Sequence, residues 1–169
     1  MKKVIFVFLS LIVFTVITIV NVVAEENCTA AKKKAVCNKD VVKANVDKMC
    51  DLVKSKGKDG VAEVKKFRFD CCGEPDYIWL QTMEDKPKMV MHPIKPQLDG
   101  KDISESKDPD GKALFVEFVK AAKVKPEGDW VPYKWTKFGE SDPTSKVSWV
   151  KPCKTPDGTE WLVGSGTWE

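Results

Sequence analysis

Two groups of side chains in this sequence have chemistry to offer beyond packing. The first is aromatic and cationic: Tyr77, Trp79, Tyr133, Trp135, Lys137, Lys146 and Trp149, joined by His92, the one histidine of the chain. Tyr133, Trp135 and Lys137 alternate, which places them on one face of a strand. Rings that exclude water, set beside an ammonium and an imidazole, suit a small carboxylate: the apolar walls hold its hydrocarbon part and the cation offsets its charge where the dielectric is low. An ordinary core with its lysines facing solvent uses the same residue types, and residue types alone leave both readings open. The second group is the six cysteines, Cys28, Cys37, Cys50, Cys71, Cys72 and Cys153. An even number in an exported chain favours disulfides over free thiols, with the pairing left open.

The usual catalytic constellations are missing. There is no His-Glu-x-x-His and no glycine-rich phosphate loop, and Gly164-Ser165-Gly166 falls inside a terminal strand instead of a strand-to-helix elbow. The vicinal Cys71-Cys72 is neither a thioredoxin-like nor a haem-attachment pattern, and the cysteines with His92 have no zinc-ligand spacing. The expectation is a binding protein and not an enzyme, with no cofactor and no metal. Two rivals stand beside it: a disulfide- or metal-centred periplasmic thiol protein working through Cys71, Cys72 and Cys153, and a structural secreted protein with a degenerate pocket.

The compartment is read from the amino terminus. Lys2 and Lys3 precede an uncharged apolar run over residues 4–20, and Val22-Val23-Ala24 leads into Glu25-Glu26. This is the layout of a secretory signal peptide over residues 1–24, giving a periplasmic or secreted protein. Retention of the run as an uncleaved anchor is the alternative, since its length approaches the roughly 20 apolar residues of a membrane span. Cleavage removes two of the 28 basic residues and none of the 25 acidic ones, so the net charge falls from +3 to +1. A nearly neutral chain with a single arginine, Arg68, has no electrostatic footprint for nucleic acid.

These residues need elements to position them. Val42, Val46, Met49, Cys50 and Val53 share one face of a helix that Asn38 or Asp40 can cap, with Cys37 placed on the same helix. Gly57 and Gly60 weaken that helix, and a short second piece carries Val61, Val64 and Phe67. Residues 70–75 read as a break, residues 77–83 and 88–92 as a hairpin, and residues 93–110 as a long irregular loop of the kind that carries function. A helix opened by Asp108-Pro109-Asp110-Gly111 presents Leu114, Phe115, Phe118, Val119 and Ala122. Strands at 129–138, 145–152 and 160–168 follow as a meander. Strand runs with helices on one side give an α+β class: an antiparallel sheet of about five strands, a long N-terminal helix and a second helix.

Several strings in this order resemble the Cache family, in particular its single, type 2 sensor domains: Tyr77-Ile78-Trp79-Leu80, Met91-His92-Pro93, Leu98-Asp99-Gly100-Lys101-Asp102, Lys107-Asp108-Pro109-Asp110-Gly111-Lys112, Tyr133-Lys134-Trp135, Lys146-Val147-Ser148-Trp149-Val150 and Trp161-Leu162-Val163-Gly164-Ser165-Gly166. The resemblance implies one PAS-like domain over residues 25–169 with a pocket on its sheet for small molecules, often short organic acids. It implies ligand-binding roles for Tyr77, Trp79, His92, Tyr133, Trp135 and Lys146, with Lys137 beside them. It further implies a role in signal transduction or chemotaxis through a separate membrane chemoreceptor or sensor kinase, with no span left after signal cleavage. Pairing of two copies through the N-terminal helix is the expected route to a homodimer.

Overall fold

A computed structural model describes residues 37–71, 74–137 and 139–169. The signal peptide or anchor, Cys28 and Cys72 lie outside the described residues. No helix among those described is long and apolar enough to cross a membrane.

Helix α1 spans Lys39–Lys56, and its start is set by Asn38, whose side chain accepts the Val41 N–H at 3.0 Å. That bond satisfies one of the amides a helix leaves unpaired at its first turn. Cys37 therefore falls just ahead of the helix, not on it. The helix stops at Gly57, whose φ of 54° a side chain would strain and whose N–H returns to the Val53 carbonyl. A 3₁₀ turn at Gly57–Gly60 joins it to the short α2, Val61–Lys66, with Val64 buried as the spacing requires. Both pieces are as the apolar periodicity predicts.

Of the residues 70–75 read from the sequence as a plain break, Asp70 and Cys71 instead end β1, Arg68–Cys71, and Glu74 and Pro75 open β2, Glu74–Tyr77, of a two-stranded antiparallel ribbon. Pro75 and the glycine hide the strand period there, and four-residue strands give too few alternations to read. The main sheet holds β3 (Trp79–Thr82), β4 (Met89–Met91), β5 (Asp129–Thr136), β6 (Pro143–Lys154) and β7 (Glu160–Trp168), all antiparallel, in the order β4-β3-β7-β6-β5. The last strand thus lies at the centre, between β3 of the first hairpin and β6. Helix α3, Leu114–Val124, starts one turn later than the Asp108 signal suggested. Asp108 caps a loop instead: its carboxylate accepts the N–H groups of Asp110, Lys112 and Lys134, tying the approach to α3 onto β5.

The helices cover both faces of the sheet, which corrects the one-sided arrangement expected above. One core joins Val42, Val46, Met49, Cys50 and Val53 of α1 to Leu80, Trp149, Cys153, Trp161 and Val163. The other joins Leu114, Phe115, Phe118, Val119 and Ala122 of α3 to Trp79, Val131, Tyr133, Val150 and Leu162. The reason is visible in adjacent pairs: Trp79 and Leu80, Trp149 and Val150, Leu162 and Val163 are all apolar, so alternation sends apolar surface to both sides and each side needs a cover. A disulfide between Cys50 and Cys153 stitches α1 to β6 across 103 residues of chain. Cys37 is disulfide-bonded as well, and no cysteine among the described residues is free.

Candidate functional site

Beneath α3, the sheet face opens into a small cleft of about 200 Å³ of empty space, its mouth included. Five of the seven ligand-binding residues expected from the sequence line it: Tyr77, Trp79, His92, Tyr133 and Trp135. The α3 side chains Leu114, Phe115 and Phe118 complete the wall. Sequence periodicity marks those three as core, and nothing in a helical pattern separates a core aromatic from one that also faces a ligand. No lining residue among those described is acidic.

Glycines and a buried amide hold the floor in shape. A Cβ on Gly164 would come within 2.6 and 2.8 Å of Cη2 and Cε2 of Trp79, so only the bare backbone lets the indole lie across β7. The Trp79 Nε1–H donates to Gln81 Oε1 at 3.2 Å, and Gln81 Nε2 donates to the Phe115 carbonyl at 3.0 Å. Gln81 is fully buried, so its two bonds lock the floor to the first turn of α3. On the far side Phe118 meets the Tyr133 ring edge-on at 5.1 Å, and the Tyr133 hydroxyl shares a 2.9 Å hydrogen bond with Ser148.

His92 follows the end of β4 and is almost wholly buried, its ring 4.9 Å from that of Tyr77. Its Nδ1 accepts the backbone N–H groups of Ile94 at 3.3 Å and Lys95 at 3.0 Å. Burial pushes its pKa down to about 3, helped by the charges of Lys95, Lys146 and Arg68. The imidazole is therefore neutral around pH 7, and with Nδ1 accepting, its proton sits on Nε2, so the ring is a fixed N–H donor. The positive charges that add to burial in keeping His92 neutral are the same charges a bound anion would meet.

The cations are placed differently from one another. Lys146 is buried, with Nζ 5.1 Å from the Tyr77 ring centre and 4.4 Å from that of Trp168, so it adjoins the cleft behind Tyr77. Lys137 Nζ lies 5.4 Å over Trp168 and is not among the lining residues. Trp149, grouped with the site aromatics by type, lies on the opposite face, 5.3 Å from Trp130 and under Lys43 of α1. Strand alternation explains this, because Trp149 is odd in a strand whose even members Lys146, Ser148 and Val150 share the face of Tyr133. Lys95, which the sequence gave no reason to single out, rests its Nζ 3.9 Å over the Trp135 ring.

Comparisons with known proteins agree with this fold. The family model described as a Cache domain, dCache_2, matches residues 41–169. The chain is 41% identical over 105 residues to the methyl-accepting chemotaxis protein McpP of Pseudomonas putida, an alignment that takes in 62% of this chain and 18% of that protein. The chain thus spans under a fifth of the curated relative it matches. Among solved structures, it resembles a periplasmic sensor domain of a chemotaxis protein at TM-score 0.57 and 28% identity, over 94% of this chain and 99% of that one. It also resembles a Cache chemosensory domain solved to explain carboxylic acid recognition, at TM-score 0.58 and 28% identity, over 89% of this chain and 97% of that one. A methyl-accepting chemotaxis protein from Vibrio parahaemolyticus shares the fold at TM-score 0.61 and 20% identity, over 87% and 95% of the two chains.

Proposed function

The chain belongs to the Cache domain family, and on that premise we propose that it is a ligand-sensing domain of chemotaxis-type signalling whose aromatic cleft binds a short organic acid. One observation carries this reading: a cleft walled by five aromatic side chains besides Phe115, with a neutral imidazole as donor, no carboxylate among the described lining residues, and three cations close enough to help burial depress His92. An amine would meet repulsion there, and a neutral ligand would leave the positive field unanswered. The small empty volume supports a ligand of few heavy atoms. The 28% identity to a domain that recognises carboxylic acids points the same way.

In this reading Tyr77, Trp79, Tyr133 and Trp135 hold the hydrocarbon part, His92 Nε2–H donates to the carboxylate, and Lys146 supplies field from behind Tyr77, with Lys137 more remote. The domain binds and does not catalyse. It works outside the cytoplasmic membrane, behind the export signal read at residues 1–24, and reports to a membrane chemoreceptor or sensor kinase. The cysteines then serve as staples, which the Cys50–Cys153 bridge between helix and sheet favours over thiol chemistry.

Calorimetric titration of the purified protein with acetate, propionate and butyrate, against the matching amides and amines, tests the proposal. Saturable heat with the acids alone is expected, lost in Trp135→Ala. Equal binding of amides or amines, or no binding of any acid, overturns it.

A further inference from the structure

Of the basic side chains near the cleft, one stands in an unusual position. Lys95 is half-buried, and burial lowers the pKa of its ammonium. Several lysines of this protein meet a carboxylate: Lys43 and Lys151 share Asp47, Lys65 meets Asp99, Lys123 meets Asp85 and Lys134 meets Asp110. Lys95 has no acidic partner among the described residues, and its Nζ contact is the face of Trp135, a wall of the cleft. A partly desolvated ammonium over an aromatic face is held more weakly than by a charge-assisted bond to an anion.

Its backbone is fixed as well. The Lys95 N–H bonds to His92 Nδ1, the His92 N–H donates to Asp99 Oδ1 at 2.7 Å, and Leu98 N–H returns to the Lys95 carbonyl at 3.0 Å. The loop after β4 therefore carries the neutral donor and the ammonium as one rigid unit. Deeper polar groups are already engaged: Gln81 with Trp79 and the Phe115 carbonyl, and the Tyr133 hydroxyl with Ser148.

Resting on the organic-acid reading above, we infer that Lys95 is the specificity-determining residue of the cleft, taking the carboxylate of a monocarboxylic acid at the mouth while the apolar tail points inward to Trp79 and Phe118. The half-exposed ammonium is the cation an incoming anion meets first, and the bond formed replaces the contact with Trp135. Because the inner wall is aromatic and its polar atoms are paired, a second carboxylate at the tail end would be buried without a partner. Dicarboxylates of similar length are rejected for that reason.

The test measures propionate, propionamide and succinate affinities for the wild type, Lys95→Met and Lys95→Arg, with unliganded melting curves as the folding control. Lys95→Met is expected to weaken propionate about 10- to 100-fold, the loss of one charge-assisted contact, with Lys95→Arg within about 3-fold of wild type and succinate weak throughout. Undiminished propionate binding by a folded Lys95→Met, or succinate binding as tight as propionate in the wild type, overturns this inference alone. A wild type that binds no acid overturns the organic-acid reading and this inference with it.

Discussion

His92 gives the protein a pH-dependent stability that the structure allows to be worked out. Its folded pKa of about 3 lies below the 6.5 of a free imidazole. Between those values the unfolded chain binds a proton that the folded one does not, so stability rises with pH through the window and falls on acidification. By pH 5 the unfolded imidazole is almost fully protonated while the folded one is neutral, which removes about 2 kcal/mol relative to pH 8. That figure is set by the unfolded pKa alone, so it holds for any folded value well under 5. Asp47, Asp108 and Asp157 also have lowered pKa values, but their penalties arise as the medium falls through the ordinary carboxylate value of 3.8, below the pH 8-to-5 comparison. Urea unfolding of the untagged protein at pH 8, 6 and 5 should show the loss, and His92→Gln should flatten it. The chain has one histidine, so a single pair of imidazole proton resonances reports the folded state directly. A titration midpoint near 6.5 in the native spectrum, or an unchanged slope in His92→Gln, would refute the placement of His92 in a buried positive field.

Gly164→Ala keeps an ordinary backbone conformation but drives a methyl group into the Trp79 indole; a loss of about 1–3 kcal/mol in denaturant unfolding is expected, together with loss of acid binding, and a neutral outcome would mean that the floor is not packed as described. Joint replacement of Cys50 and Cys153 by alanine frees a loop of 103 residues and should cost about 3–5 kcal/mol. A loss under about 1 kcal/mol would show that α1 is held to β6 by packing alone.

Elements with a long single period were legible from sequence. Helix α1 repeats its apolar positions from Val42 to Val53, and the three meander strands are long and bounded by turn signals. The ribbon of β1 and β2 was not legible, because its strands are too short to establish a period and contain a proline. Placing helices on both faces required weighing the doubly apolar strands as a set. Each pair such as Leu162-Val163 reads locally as a central strand, and only counting the faces shows that one helical layer is insufficient.

The site divides along a similar line. Aromatic residues at strand positions could be assigned to one face by alternation, which is why Tyr133, Trp135 and Trp79 were within reach while Trp149 required knowledge of the register. Lys95 was out of reach for a different reason: it lies in the irregular chain after β4, where no period assigns a direction to a side chain, and its place over Trp135 follows from two backbone N–H groups turning toward His92 Nδ1. The signal that existed was the His92-Pro93 pair, because a buried imidazole next to a residue without an N–H must find its acceptor bonds a step further along the loop. A histidine at a strand end followed by proline thus marks the following residues as candidates for the mouth of a pocket, and among them an ammonium with no nearby acid is the one to test first.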